Sequence, residues 1–255
     1  MKSTVVAVFA LLLFAGLGNP DNASAQGNTV KNIVIVHGAF ADGSGWQGVF
    51  KILTAKGYNV TIVQNPLTGL EDDVAAVNRA LDKQAGPVIL VGHSWGGAVI
   101  TEAGASSKVV GLVYVAALQP DAGQSPIQSM SAPPLPENGI LPPDSAGFVY
   151  FDKAKFHAGF AADLPADQAA FMYASQIPIA AKAFGTPLTH AAWRTKPSWG
   201  IVPTLDKAID PAFERSIYKR SGTKVTEVPG ASHVVFISHP KEVAAVIEAA
   251  ARGSI

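Results

Sequence analysis

The chain has 255 residues and a formal net charge of zero, and 48% of its residues are hydrophobic. This composition excludes a disordered chain, and the balanced charge gives no electrostatic footprint for nucleic-acid binding, which rests on clustered Lys and Arg. The absence of cysteine excludes disulfides, a thiol nucleophile and a Cys-ligated zinc. The length suits one large domain or two small ones, whose chemistry must come from Ser, His, Asp, Glu or a cofactor.

The N-terminus has the pattern of a secretory signal. An apolar run, Val5–Leu17, follows Lys2 and is shorter than the roughly 20 residues that a membrane-spanning helix needs. Residues 23–25 (Ala-Ser-Ala) then supply the small residues of a cleavage site. We predict a signal peptide over residues 1–25, a mature chain over 26–255, no stable membrane anchor after cleavage, and a secreted or periplasmic location. The alternative is an uncleaved membrane anchor.

The mature chain alternates short apolar, β-branched runs with amphipathic helical patterns. Helices are predicted between successive strands, and a final helix is predicted from Pro240, a residue favoured in the first turn. Repeated strand–helix–strand units imply an α/β fold, with a mainly parallel, doubly wound sheet covered by helices on both faces. The predicted strands, in chain order, are 33–36, 60–63, 88–91, 109–115, 199–202 and 225–228.

One segment, from about residue 119 to 195, breaks this alternation. Seven prolines lie between residues 120 and 143, and short helical patterns rich in Phe and Ala follow them. A segment of this size between two strands is better explained as an inserted, mostly helical cap than as a loop. Its aromatic side chains are candidates either for the core of the cap or for the wall of a substrate pocket.

The most informative motif is Gly-His-Ser-Trp-Gly at residues 92–96. It follows a predicted buried strand and precedes a helix that begins with small residues, which is the context of the G-x-S-x-G nucleophile turn. A serine at such a sharp turn has crowded neighbours, and the glycines at 92 and 96 remove side chains that would collide. Ser94 is therefore the candidate nucleophile.

A serine hydroxyl needs a base that removes its proton. Of the six histidines, His233 follows the last strand, at the sheet edge where ligands of open α/β folds bind. A carboxylate that orients the histidine should lie between Ser94 and His233 in the chain. Asp206, after the strand that precedes it, is the first candidate. Asp210, a candidate helix N-cap, and Asp121, after the fourth strand, are the alternatives.

An oxyanion hole needs two backbone N–H donors. The first candidate is the N–H group of Trp95, the residue after the nucleophile. The second should come from the loop after the first strand, where Gly38 permits a tight turn; we assign it to Ala39, with Phe40 as the alternative. Phe40 is also a candidate substrate contact. The alternative for Gly38 is that it only ends a strand.

Four motifs together resemble the α/β-hydrolase superfamily. The nearest branch is the compact, lidded group of plant methylesterases and hydroxynitrile lyases, with related bacterial esterases. Hydroxynitrile lyases of this branch carry threonine at the position of Gly38 and lysine at the position of Val234, so both departures favour hydrolysis. The motifs occur in the family's order, at residues 36–40, 92–97, 205–209 and 231–233.

The resemblance implies a carboxyl-ester hydrolase with Ser94 as nucleophile, His233 as base and Asp206 as orienting acid. We expect it to cleave a small, uncharged, hydrophobic ester through an acyl-serine intermediate, with no metal or organic cofactor and no nucleic-acid partner. The alternatives are a lactonase, an amidase or a cofactor-free perhydrolase with the same three residues, or a non-catalytic ligand-binding protein. The sequence carries no signal for an oligomeric state.

Overall fold

The computed structural model describes residue 1, residues 29–130 and residues 134–253. Apart from Met1, the predicted signal peptide over residues 1–25 lies outside the described residues. Among the helices that the structure describes, none is long and apolar enough to cross a membrane.

A six-stranded sheet forms the centre of the fold, in the spatial order β2-β1-β3-β4-β7-β8. All its neighbouring strands are parallel. The mainly parallel sheet is thus confirmed, and each predicted strand lies within two residues of the observed one at either end. The strands are β1 Asn32–Val36, β2 Asn59–Val63, β3 Val88–His93, β4 Val109–Val115, β7 Ser198–Pro203 and β8 Lys224–Val228.

Helices cover the sheet, which is why its central strands are continuous apolar runs rather than alternating ones. The long helices α1 and α10 pack together, as do α2 and α3. Two short 3-10 helices, Gly43–Trp46 and Ala192–Arg194, complete the helical elements of the described residues. The α-helices are α1 Gln47–Ala55, α2 Leu70–Asp82, α3 Gly96–Ala103, α4 Pro126–Ser129, α5 Phe156–Phe160, α6 Ala166–Ala174, α7 Ala181–Gly185, α8 Pro211–Ser221, α9 Val235–Ser238 and α10 Pro240–Gly253.

The segment between β4 and β7 contains α4 to α7, so a mostly helical insertion between two strands is confirmed. It also holds a two-stranded antiparallel sheet of β5 (Phe148–Val149) and β6 (Ile179–Ala180), which the sequence analysis did not predict. Strands of two residues are too short to show a period in the sequence. We call this whole insertion the cap.

Three buried phenylalanines form an aromatic cluster in the cap. The ring centroids of Phe156 and Phe160 are 5.0 Å apart, and those of Phe151 and Phe160 are 5.4 Å apart. The cluster reaches the sheet domain, because the ring of Phe160 lies 4.9 Å from that of His233. The cap is therefore packed directly above one of the predicted site residues.

Candidate active site

Ser94 lies in the turn between β3 and α3, with a backbone φ of 53°. This left-handed conformation is strained for a residue with a side chain. The turn is also crowded, because a Cβ added at Gly96 would lie 2.6 Å from the carbonyl oxygen of Val36, and one added at Gly92 would collide with the carbonyl of Gly96. A Cβ at Gly97 would likewise collide with the carbonyl of Leu118. The tight turn inferred from the motif is therefore present.

His233 and Asp206 form a buried pair beyond the last two strands of the sheet. Nδ1 of His233 lies 2.6 Å from Oδ2 of Asp206. The other carboxylate oxygen accepts hydrogen bonds from the backbone N–H groups of Ala208 (2.8 Å) and Ile209 (2.9 Å). Because an ionised carboxylate can only accept, Nδ1 of the neutral ring carries the hydrogen and Nε2 keeps its lone pair.

Ser94 and His233 line the same small cavity, of about 30 Å³. Nε2 of His233 is buried without a hydrogen-bond partner, and the Ser94 hydroxyl makes no hydrogen bond within the part of the chain that the structure describes. Both groups are thus uncommitted at one cavity. Hydrogen bonds between such groups are often long in free enzymes and tighten when substrate binds.

The two backbone donors predicted for an oxyanion hole belong to residues of this cavity. Ala39 and Trp95 both line it, and in the described residues neither backbone N–H group makes a hydrogen bond. Phe40, the alternative donor, instead gives its N–H group to the carbonyl of Ile177 in the cap, at 3.2 Å. Its ring lines the cavity, so Phe40 remains a candidate substrate contact and is disfavoured as a donor.

Neither alternative carboxylate is placed to orient His233. Asp210 is the N-cap of α8, as the sequence suggested, and accepts the N–H group of Ala212 at 2.8 Å. Asp121 binds the guanidinium of Arg194, with Nε at 2.7 Å. This hydrogen bond is the main cause of a lowered pKa at Asp121.

His93 is buried beside Ser94 and supports the loop of His233. Its Nε2 lies 3.1 Å from the backbone carbonyl of His233, and because a carbonyl only accepts, Nε2 carries the hydrogen. Burial lowers the pKa of His93 well below its usual value, and the neighbouring His233 lowers it further. His93 is therefore a neutral donor that holds the loop of His233.

The sequence analysis did not identify two carboxylates that lie near the site. Asp73, on α2, is buried and accepts hydrogen bonds from Trp95, Asn65 and Leu67. Spacing could have placed it on the buried face of α2, which carries residues 70, 73, 77 and 81. Asp163, in the cap, accepts the N–H group of Ser232 at 3.0 Å and also its hydroxyl. Nothing local in the sequence indicates that contact.

No group of three or more His, Cys, Asp or Glu side chains within the described ranges is arranged to hold a metal ion. The site as it stands offers a hydroxyl, an imidazole, a carboxylate and free backbone donors around an apolar cavity.

A doubly wound parallel sheet, a serine in a strained strand-to-helix turn and a His–Asp pair after the last strands define a hydrolase class of fold. The sequence profile of the alpha/beta hydrolase family matches residues 33–246. The chain belongs to the alpha/beta hydrolase family.

Two curated relatives cover most of this chain. The alpha/beta hydrolase nvfD of Aspergillus novofumigatus is 28% identical over 254 residues, which cover 88% of this chain and 97% of the relative. A pyrethroid hydrolase of Sphingobium wenxiniae is 27% identical over 252 residues, covering 86% of this chain and 87% of the relative. The chain is similar to both over nearly their whole length.

Solved structures share the fold. A pyrethroid hydrolase from Sphingobium faniae is 25% identical, with a TM-score of 0.73, and the match covers 88% of this chain and 98% of that one. A methylesterase from Arabidopsis is 20% identical, with a TM-score of 0.69, and the match covers 85% of this chain and 96% of that one. The second likeness shows the fold alone. The resemblance to the compact, lidded branch of plant methylesterases and bacterial esterases is confirmed.

Proposed function

We propose that the protein is a secreted serine hydrolase that cleaves an uncharged, hydrophobic carboxylic ester through an acyl-serine intermediate. Membership of the alpha/beta hydrolase family and similarity to proteins named as hydrolases support hydrolysis. The observation that carries the proposal is that the buried His233–Asp206 pair leaves Nε2 of the imidazole unpartnered at the cavity that Ser94 also lines.

The reaction has two steps of acyl transfer. Nε2 of His233 takes the proton of the Ser94 hydroxyl while the serine oxygen attacks the ester carbonyl, and the N–H groups of Ala39 and Trp95 bind the resulting oxyanion. His233 then protonates the leaving alcohol. A water molecule, deprotonated by the same nitrogen, attacks the acyl-serine and releases the acid and free Ser94. Asp206 holds the ring in the required tautomer throughout.

The lining of the cavity supports an uncharged, hydrophobic substrate. Apart from Ser94 and His233, its lining residues are apolar, and they include the cap rings of Phe151, Phe160 and Phe184. An ionised group placed among such rings would lose its hydration without a compensating partner, which is costly.

Turnover of a short p-nitrophenyl ester by wild-type protein and by Ser94→Ala tests the proposal. We expect the variant to lose several orders of magnitude in kcat, because the nucleophile is removed. A fluorophosphonate should label wild-type protein stoichiometrically and leave Ser94→Ala unlabelled. Equal turnover by the two proteins would contradict the proposal, and slow labelling with no turnover would favour a ligand-binding protein. Matched ester and amide substrates separate an esterase from an amidase.

Export is part of the proposal and has its own test. The predicted signal over residues 1–25 supports a mature N-terminus near Gln26. N-terminal sequencing of protein collected outside the cytoplasm should find that residue. A mature N-terminus at Met1 in exported protein would contradict cleavage.

A further inference from the structure

A surface groove adjoins the cavity of Ser94. It has a volume of about 320 Å³, against about 30 Å³ for the cavity. The groove and the cavity share four lining residues, so they lie side by side. The shared residues are Met130, Ile140, Ala208 and Ile209.

The two polar side chains that line the groove already have hydrogen-bond partners. The Asn138 amide group donates to the carbonyl of Ala208 at 3.0 Å, and its oxygen accepts the N–H group of Ile140 at 3.0 Å. The Asp210 carboxylate caps α8. Other lining side chains, such as Ile127, Leu135 and Phe213, are apolar. The groove thus suits an apolar occupant.

We infer that this groove binds the larger apolar group of the ester, while the ester carbonyl enters the Ser94 cavity. The inference rests on the proposed function and names its substrate class. A cavity of about 30 Å³ holds one or two water molecules, whereas the groove has the volume of a ligand pocket. The substrate is therefore an ester with one long or bulky hydrocarbon group, larger than the small ester expected from the sequence.

Ile127→Asp tests the groove, because Ile127 is exposed and the introduced carboxylate would place a negative charge on an apolar surface. Val225→Asp is the matched control, since Val225 is also exposed but lies on β8, outside the groove. The measurement is kcat/KM for acetyl and octanoyl p-nitrophenyl esters, and for methyl and octyl acetates. We expect Ile127→Asp to lower the preference for the longer ester about tenfold in one of the two series, the effect of losing one or two buried methylene groups.

Unchanged preferences in both series would contradict the proposed binding of the larger group in the groove, but not the esterase activity. A wild-type protein that hydrolyses none of the four esters would overturn the activity and the groove together. A similar loss in Val225→Asp would show a general effect of added charge and would also overturn the groove.

A second, independent observation concerns Asp73, whose hydrogen bonds connect it to the chain segments of both predicted oxyanion donors. Its Oδ2 accepts the indole N–H group of Trp95 at 2.7 Å and the amide of Asn65 at 3.2 Å. The same Asn65 amide lies 3.5 Å from the carbonyl oxygen of His37, two residues before Ala39. One carboxylate is thus linked to the two chain segments that carry the donors.

Asp73 also fixes a strained turn beneath the cap. Its Oδ1 accepts the backbone N–H group of Leu67 at 2.7 Å, and Leu67 has a φ of 59°. The carbonyl of Leu67 in turn accepts the N–H group of Ala180 in the cap, at 2.8 Å. The three hydrogen bonds that Asp73 accepts all come from neutral donors.

We propose that Asp73 is a positioning residue for the oxyanion hole, acting through Trp95 and through Asn65. It touches no reacting atom. An asparagine amide at this position would direct one of its own N–H groups towards an N–H group that now donates a hydrogen bond to Asp73. Asp73→Asn should therefore displace Trp95 and weaken oxyanion binding in the transition state more than substrate binding in the ground state.

The test is a double-mutant cycle of Asp73→Asn and Trp95→Phe, with kcat expressed per active site titrated by fluorophosphonate. We expect each single variant to lose about tenfold to a hundredfold in kcat with little change in KM, below the full loss of one oxyanion donor, and the double variant to lose little more. Asp72→Asn is the matched control, because the exposed Asp72 carboxylate, among the residues that the structure describes, accepts a hydrogen bond only from the hydroxyl of Thr68. A lowered Tm with unchanged kcat per titrated site, or fully additive losses, would overturn the proposal.

Discussion

The sheet and the cap hold their parts of the site by different means. At the sheet, main-chain hydrogen bonds fix the turn of Ser94, whose N–H group donates to the carbonyl of Val115 and whose carbonyl accepts the N–H group of Leu118, both at 3.2 Å. The cap is held by its aromatic cluster and by a few contacts that cross to the sheet domain, such as those of Ile177 and Ala180.

This difference separates two kinds of substitution. A change at the sheet alters the geometry of the reacting groups and should appear in kcat. A change in the cap alters packing above the site and should appear mainly in kcat/KM and in substrate preference. The substitutions below test that division, from the largest expected effect to the smallest.

Asp206→Asn should have the largest effect at the sheet. The amide cannot hold His233 in the tautomer that leaves Nε2 free, and we expect kcat to fall about 10⁴-fold. Asp167→Asn is the control, because this carboxylate is exposed on α6 and lines neither the groove nor the cavity, so kcat should stay near the wild-type value. Steady-state kinetics on one p-nitrophenyl ester measures both. Full activity in Asp206→Asn, with loss in Asp121→Asn, would move the orienting acid to Asp121.

Asp163→Asn breaks the contact between the cap and the loop of His233. Asp163 binds the N–H group and the hydroxyl of Ser232, the residue before His233. Loss of a charge-assisted hydrogen bond costs about 1.5–3 kcal/mol, so we expect kcat/KM to fall about tenfold to a hundredfold. Asp167→Asn, an exposed carboxylate on α6, should have no effect. Equal kinetics in the two variants would mean that the cap does not position the catalytic loop.

Glu214→Gln should have the smallest effect on catalysis and a pH-dependent effect on stability. Glu214 is buried in α8, and neither carboxyl oxygen has a hydrogen-bond partner in the described parts of the chain. Burial raises the pKa of this carboxyl well above its usual range, and the negative charge of Asp206 raises it further. The folded chain keeps the proton to higher pH than the unfolded chain, so the stability it contributes is present in acid and is lost as the pH rises.

The amide stays neutral at every pH. Relative to wild type, the free energy of unfolding of Glu214→Gln should therefore rise between pH 5 and pH 8, by about 1 kcal/mol or more. Urea unfolding at the two pH values measures this difference. A gap between the proteins that does not change with pH would show that Glu214 is ionised in the folded chain.

The centre of the sheet could be predicted from the sequence because β1, β3 and β4 are largely apolar runs, and β4 was predicted with its observed bounds. The turn of Ser94 could be predicted because its glycines are close neighbours in the chain. The short elements β5, β6 and α9 could not, since two to four residues carry no period.

The hydrogen bonds around the site were harder to predict than the elements. The contact of Asp163 with Ser232 joins residues 69 positions apart, and that of Asp73 with Trp95 joins residues 22 apart. Three acidic residues lie in the first turn of α2, and tertiary packing buries one of them, Asp73. Such pairings depend on how helices and cap settle on the sheet, which local spacing does not encode.

The glycines around Ser94 have one more consequence. The carbonyl groups of Val36, Gly96 and Leu118 leave no room for a side chain at Gly96, Gly92 and Gly97, respectively. The surface beneath the nucleophile is therefore made of main-chain atoms, which every amino acid shares. Replacing side chains cannot change the shape of this main-chain surface. New specificities in this scaffold must therefore come from the side chains that line the cavity and the groove, and a library aimed at other esters should leave the turn of Ser94 unchanged.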